Sequence, residues 1–459
     1  MNRHTAAIKN IFFVFFIALI VRTGYVWFFI ESVDLTFEDQ AMYIQLGQTM
    51  AETESFLQNT GNEYSIVTER VPGYPALLAL VYMLFGENNM AVVIVQIFID
   101  SLTCVIIGLI AELIVTRGFL VAGLISALNL SMITLSGMIL TDTLFLFLFS
   151  LFILFVFRYL KDPAKLDIFL AASLLCVATL VRPVSYYLVL LLLPLLVGFL
   201  IWKRRPFKYV IHSSILYIIP IIVAFGSIHH RNFNEYNTFS LVSQGGVHAM
   251  YWVVPATYQY SGQGSYQEGQ AFAKKHIKHA MIRDNIESLS DNPFENSGYH
   301  MKIAKQALLE LGVSNILHAW SVGAIVNFLL PSAAYAPAIR AMEHPSFYAT
   351  PGNGVIEKLV NYISNTNTNG FIYLLIITVG SIISLIFLVI SIFGFYKMLK
   401  SSKLEDGVKE IIFFSLLIST YFIAITGPII GVKYRLPVEL IMTIFFSYVW
   451  VLFRKKKGN

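Results

Sequence analysis

Residues 11–30 read IFFVFFIALIVRTGYVWFFI, and after a short break come DLTFEDQAMY at 34–43 and TERVPGYP at 68–75. The first stretch is almost unbroken apolar side chain, long enough as a helix to cross the roughly 30 Å hydrocarbon core of a bilayer. It sets Asp34, Glu38, Asp39, Glu69 and Arg70 just beyond a membrane boundary. Carboxylates there are costly unless solvated, paired or used. The rest of the chain reads as a frame holding this polar stretch at the bilayer surface.

Composition agrees with that reading. Of 459 residues 57% are hydrophobic and 13% charged, and the mean hydropathy is +0.69, far more apolar than a soluble globular chain. The formal net charge of +5 sits in short basic clusters between apolar runs, the pattern that orients membrane segments, and this excludes a nucleic-acid role. Two cysteines, Cys104 and Cys176, lie within apolar runs; they are expected to pack as small buried hydrophobes, with no disulfide framework. The run at 11–30 lacks a small-residue cleavage site and is read as a retained helix.

Placing the basic clusters on one side predicts ten spans with both chain ends on that side, the cytoplasm. They are Ile11–Ile30, Met90–Val115, Leu120–Leu140, Leu144–Phe157, Asp167–Val181, Ser185–Trp202, Tyr209–Ser227, Phe371–Phe395, Ile411–Ile430 and Val438–Phe453. The apolar stretches 72–86 and 316–330 are short for a span and are laid against the membrane surface. The expected fold class is an all-α polytopic membrane protein with interfacial helices and a mixed extracytoplasmic domain. Its modules are residues 1–227, an N-terminal transmembrane catalytic module with its first external loop at 31–89; residues 228–370, the extracytoplasmic domain; and residues 371–459, the C-terminal transmembrane helices.

With that topology, Glu38, Asp39, Glu69, Arg70, Asp142, Arg182, Arg231, Lys433 and Arg435 all fall at the outer boundary. Singly each has an ordinary explanation: Arg182 and Arg435 can snorkel to head groups, and Asp142 can cap the helix that follows it. Together they bring both signs of charge to one side from distant spans, which suggests a charge-balanced pocket.

Glu38-Asp39, Glu69-Arg70-Val71-Pro72-Gly73-Tyr74-Pro75, Thr141-Asp142, Thr179 to Pro183, Arg231-Asn232 and Tyr434-Arg435-Leu436-Pro437 resemble, in order and in side, the GT-C superfamily of integral membrane glycosyltransferases. The bacterial branch related to protein O-mannosyltransferases and to the aminoarabinose transferase of lipid A is most similar. The resemblance implies transfer of a sugar from a polyprenyl-phosphate donor to an envelope glycan, lipid or protein acceptor at the outer face of the plasma membrane. It implies Asp39 as catalytic base with Glu38 beside it, and Arg70, Arg231 and Arg435 as cations for the donor phosphate. Supporting roles are implied for Glu69, Asp142, Arg182, Tyr74 and Tyr434.

Some relatives carry a metal to which Glu69 would contribute. His248 and His344 are lone loop histidines of the kind that is usually solvated, so no metal or cofactor is assigned and a divalent cation stays open. Tyr43, Tyr74, Trp252 and Tyr434 can stack on a sugar, though tyrosine and tryptophan also crowd membrane interfaces. Arg22 is expected to pair with Asp34 or Glu38. The alternatives are an O-antigen polymerase or ligase, and a transporter or flippase of lipid-linked glycans. A transporter calls for polar groups at mid-depth in several spans, whereas these spans read as apolar with charge gathered at one face.

Overall fold

Hydrocarbon offers a backbone no partner but itself, and the chain answers with helices. The computed structural model describes residues 3–30, 37, 39–61, 63–345, 350–351, 355–401 and 407–457; Asp34 and Glu38 lie outside them. The first half comprises α1 (Arg3–Phe29), α2 (Gln40–Thr53), α3 (Gly73–Phe85), α4 (Asn89–Ile114), α5 (Phe119–Ala127), α6 (Leu130–Ser136), α7 (Asp142–Lys161), α8 (Lys165–Val181), α9 (Tyr186–Trp202) and α10 (Phe207–Tyr236). Between α2 and α3 a small antiparallel hairpin pairs β1 (Leu57–Asn59) with β2 (Tyr64–Ile66). Then follow α11 (Gln244–His248), α12 (Val254–Tyr260), α13 (Tyr266–Arg283), α14 (Pro293–Leu311), α15 (Val313–Leu329), α16 (Pro337–Arg340), α17 (Val355–Ser364), α18 (Thr368–Leu399), α19 (Val408–Thr426) and α20 (Leu436–Lys457).

Among the described residues eight helices are long and apolar enough to cross a bilayer, or ten if two sharply bent pairs each count as a span. The protein is thus a multi-pass membrane protein, and eight of the ten expected spans coincide with the eight. The expected span Leu120–Leu140 is broken into α5 and α6, bent by 52°. Asn129 explains the break, because its side chain accepts the Ser131 and Met132 amides and starts a new helix. The expected span Asp167–Val181 is the 17-residue α8, packed against α7 and α10. Helix α3 stays short, and α15 turns away from α14 by 100°.

One apolar core runs through the bundle. Within it Phe149 of α7 stacks on Phe145 (5.6 Å), meets the tilted ring of Phe152 at 5.4 Å and meets Phe422 of α19 edge-on at 5.2 Å. A second, smaller core of Met250, Val254, Ala273, Ala280, Ile303, Ala304 and Ala307 joins α12, α13 and α14. Small alanine side chains let these helices approach closely.

Two expectations fail inside the bundle. Arg22 does not reach toward the loop after α1; it pairs with Asp100 of α4, and both side chains are fully buried. It also donates to the carbonyls of Ala18, Ala127 and Ser126 and to Cys104 Sγ. A buried guanidinium needs a partner at its own depth and acceptors for every N–H; α4 supplies the partner, and α1, α4 and α5 together supply the acceptors. The same pair shows that charge is not confined to one face, since Asp100 sits midway along a span.

Candidate active site

The site grows from the junction of α2 with the segment before α3. Gln40 opens α2, donates to the Phe37 carbonyl (3.2 Å) and accepts the Ile139 amide (2.8 Å). This fixes the start of α2 beside the turn into α7. Asp39, just before α2, makes no capping bond; its half-exposed carboxylate lies 3.7 Å from Arg70, whose own side chain is 13% exposed.

Arg70 is held by what surrounds its backbone. The Ser243 amide donates to the Thr68 carbonyl (2.8 Å), the two residues' hydroxyls meet at 3.0 Å, and Arg231 donates to the Val67 carbonyl at 3.3 Å. On the other flank Gly73 abuts α8, and a Cβ there would come within 2.6 Å of the Leu180 carbonyl oxygen. A residue larger than glycine would push the Arg70 segment away from α8 and from Arg182.

Asp142, the first residue of α7, is buried and accepts from Arg182 at the end of α8. Its carboxylate is engaged by that arginine, not by capping. The Arg182 guanidinium lies 5.4 Å from the centre of the Tyr434 ring, a cation–π contact. Between the two ion pairs stands Tyr43, edge-on to Tyr74 at 5.2 Å. Burial pushes its phenol up, and the charges of Arg70, Asp39, Arg182 and Asp142 all reach it. Tyr43 thus marks the point where the two pairs face one another.

Not every expected residue joins this cluster. Tyr74 is fully buried, and its hydroxyl donates to Gln96 Oε1 at 2.7 Å; it supports the floor and has no free face for a sugar. Arg231 braces the 67–70 segment, with its remaining bonds going to Asn232 Oδ1. Arg435 is turned inward to Glu439, the carbonyls of Asn327, Phe328 and Leu330, and the hydroxyls of Ser131 and Ser332. Those bonds already occupy its fork, so here it is a strut between α20, α6 and the end of α15, not a cation awaiting a phosphate. Lys433 is buried beside the Tyr434 ring, at 5.7 Å. Glu69 is exposed.

His248 is the residue the sequence reading undervalued. It lies partly buried on α11, face to face with Trp252 at 5.7 Å, and burial together with the Arg70 charge pushes its imidazole below the ordinary value. It is a neighbour of the site, whereas His344 stacks on Tyr373 at 3.7 Å, where α18 begins. Among the described residues no three His, Cys, Asp or Glu side chains converge as a metal would need. Glu69 and His248 alone do not make a ligand set.

Residues 69–228 match a protein-family model described as dolichyl-phosphate-mannose-protein mannosyltransferase. No curated protein sequence matches the chain significantly. Among solved structures, the archaeal oligosaccharyltransferase AglB from Archaeoglobus fulgidus, in complex with an inhibitory peptide and a dolichol-phosphate, matches with a TM-score of 0.50 at 11% identity, covering 98% of this chain and 50% of that one. The chain therefore spans about half the length of that protein. ArnT from Cupriavidus metallidurans matches bound to undecaprenyl phosphate (TM-score 0.36, 12% identity, 98% of this chain and 76% of that one) and in the apo state (0.39, 14%, 97% and 77%). The chain thus shares the fold of that membrane oligosaccharyltransferase.

Proposed function

We propose that the protein transfers a sugar from a polyprenyl-phosphate donor to an acceptor hydroxyl in a single inverting displacement at the outer face of the plasma membrane. Asp39 takes the proton of the acceptor hydroxyl as its oxygen attacks the anomeric carbon, a general-base step. The bond from that carbon to the phosphate oxygen breaks, and its electron pair stays on the departing lipid phosphate. Arg70, a fork suited to phosphate oxygens, steadies the charge that develops there. Asp142 and Arg182, with Tyr434 against the guanidinium, form a fixed wall that orients Arg70 or the acceptor through Tyr43.

The observation that carries this reading is the open pairing of Asp39 with Arg70 at 3.7 Å. A base and a cation stand side by side, and among the described residues no further hydrogen bond or ion pair to the Asp39 carboxylate closes the pair. The family match over residues 69–228 begins at Glu69-Arg70 and supports the choice of donor class. The test is transfer of labelled sugar from a polyprenyl monophosphate by the protein in vesicles. Wild-type protein is expected to transfer it and Asp39→Asn to fail while remaining folded; near-normal transfer by the variant removes Asp39 from the chemistry. Turnover only of a glycan on a polyprenyl diphosphate would replace this reading with the polymerase or ligase alternative.

A further inference from the structure

Helices α9 and α19 are tied together at both ends and parted between. At the end near the candidate site, the Tyr421 hydroxyl donates to the Val184 carbonyl (2.6 Å) and accepts the Leu188 amide (3.2 Å). At the far end Lys203 Nζ donates to the Glu410 carboxylate. Between the ties α9 carries Pro194 and Gly198, and both line a cavity of about 480 Å³ bounded by α7, α8, α9, α10 and α19. Nothing lies within 4 Å of where a Cβ on Gly198 would point.

The cavity is a window onto lipid. Phe413 and Trp202, on its two edges, are 66% and 67% exposed, so the opening faces the surface that hydrocarbon covers. Its lining is apolar apart from tyrosine hydroxyls and Lys409 and Glu410 at the mouth. A space of this size with so few polar groups does not hold water well, and it falls in the range of about 300–1,000 Å³ typical of ligand pockets. The closed stack of Phe145, Phe149 and Phe152 lies between it and the Asp39–Arg70 pair. The window belongs to the opposite leaflet and is separate from the candidate site.

The mouth tells which lipid fits. Among the described residues of 203–210 and 407–410 there are five cations, Lys203, Arg204, Arg205, Lys208 and Lys409, against one carboxylate, Glu410. Trp202 lies beside them with Lys203 Nζ 4.9 Å from its ring centre, an aromatic at head-group depth. We propose that this window seats one acyl chain of an anionic glycerophospholipid from the leaflet opposite the Asp39–Arg70 pair, with the lipid phosphate at Lys203 and Lys409. The chain fills the gap that Pro194 and Gly198 leave, and the head group joins the Lys203–Glu410 tie. The inference does not depend on the proposed sugar transfer.

The experiment is photolabelling of the full chain in vesicles with trace phospholipids bearing a diazirine on one acyl chain, phosphatidylglycerol in one arm and phosphatidylcholine in another, with photoreactive polyprenyl phosphate in a third. The phosphatidylglycerol probe is expected to mark peptides containing Leu195–Gly198 and Phe413–Leu417 roughly ten-fold above the choline probe, the scale of one to two surface lysines acting on an anionic lipid. Gly198→Trp is expected to abolish that labelling while leaving labelling of lipid-facing α18 unchanged. A Lys203→Ala/Lys409→Ala variant is expected to label equally with both phospholipid probes, and it keeps the test alive should Gly198→Trp misfold. Equal labelling of wild-type protein by both phospholipids overturns the proposal. Stronger labelling by the polyprenyl probe, or labelling that survives Gly198→Trp, also overturns it.

Discussion

Arg22 and Asp100 meet inside the bundle at 0% and 1% exposure, while Arg70 and Asp39 meet at its edge at 13% and 49%. The buried guanidinium makes five hydrogen bonds, one for each N–H it carries. Arg70 makes a single long bond to the Glu69 carbonyl and a loose approach to Asp39 among the described residues. A saturated ion pair is a strut, whereas the unsaturated one at the boundary is where the proposed donor would bind. Arg435–Glu439 falls with the first kind. Asp142–Arg182 lies between, since its ionic contact is closed but Tyr43 and Tyr434 leave it beside the open pair.

The largest effect that would break this contrast is on turnover. Asp39→Asn is expected to lower sugar transfer by roughly 10²- to 10⁴-fold, the usual worth of a positioned base, with thermal stability unchanged because the side chain caps nothing and is half exposed. Asp100→Ala should do the reverse. It leaves Arg22 buried without a counter-ion, which costs about 3–5 kcal/mol, so the yield of folded protein and its melting temperature should collapse. Whatever folds should keep wild-type turnover per molecule. If Asp100→Ala melts normally, the pair is not the strut described; if Asp39→Asn melts early, the open pair is structural too.

Arg70→Ala sharpens the contrast at the next level. Loss of one cation aimed at a leaving phosphate should reduce turnover about 10²–10³-fold, and the defect should be smaller for a donor with a better leaving group. A purely structural Arg70 would instead reduce all donors equally and lower the melting temperature. Tyr434→Leu removes the ring from Arg182 and is expected to cost roughly 0.5–2 kcal/mol, read as a modest fall in melting temperature and in turnover.

The same contrast explains what could be read from the sequence. Apolar run length gave most of the spans, because hydrocarbon permits so few alternatives. The Asp39–Arg70 meeting was legible because both residues lie on one polar stretch next to the first span. Arg22's partner was missed although a signal existed: Arg22 lies eight residues before Ile30 and Asp100 ten after Met90, which puts two lone opposite charges at similar depth in antiparallel helices. The inward partners of Arg435 were not legible, because the sequence shows that it stands at the end of a span but not which acceptors surround it. Those acceptors are carbonyls at the frayed end of α15, more than a hundred residues away. The break at Asn129 was also readable, as an N-capping residue inside a run taken for one helix.

The smallest expected effect concerns His248, which sequence alone left as a solvated loop residue. Its imidazole is held below its ordinary value by burial and by the nearby positive charge of Arg70, so the folded state resists a proton that the unfolded chain accepts near pH 6.5. The sign follows: this residue's contribution is fully present above about pH 6.5 and is lost as pH falls through the lower folded value. Melting curves of wild-type protein should therefore decline over that acidic window more steeply than those of His248→Gln, and the difference between the two slopes isolates this histidine from the others. Arg70→Ala removes one of the two causes and should move the folded titration of His248 upward, as followed by imidazole NMR. An unmoved titration would mean that Arg70 and His248 do not share a pocket, and the open pair would then lose its neighbour from α11.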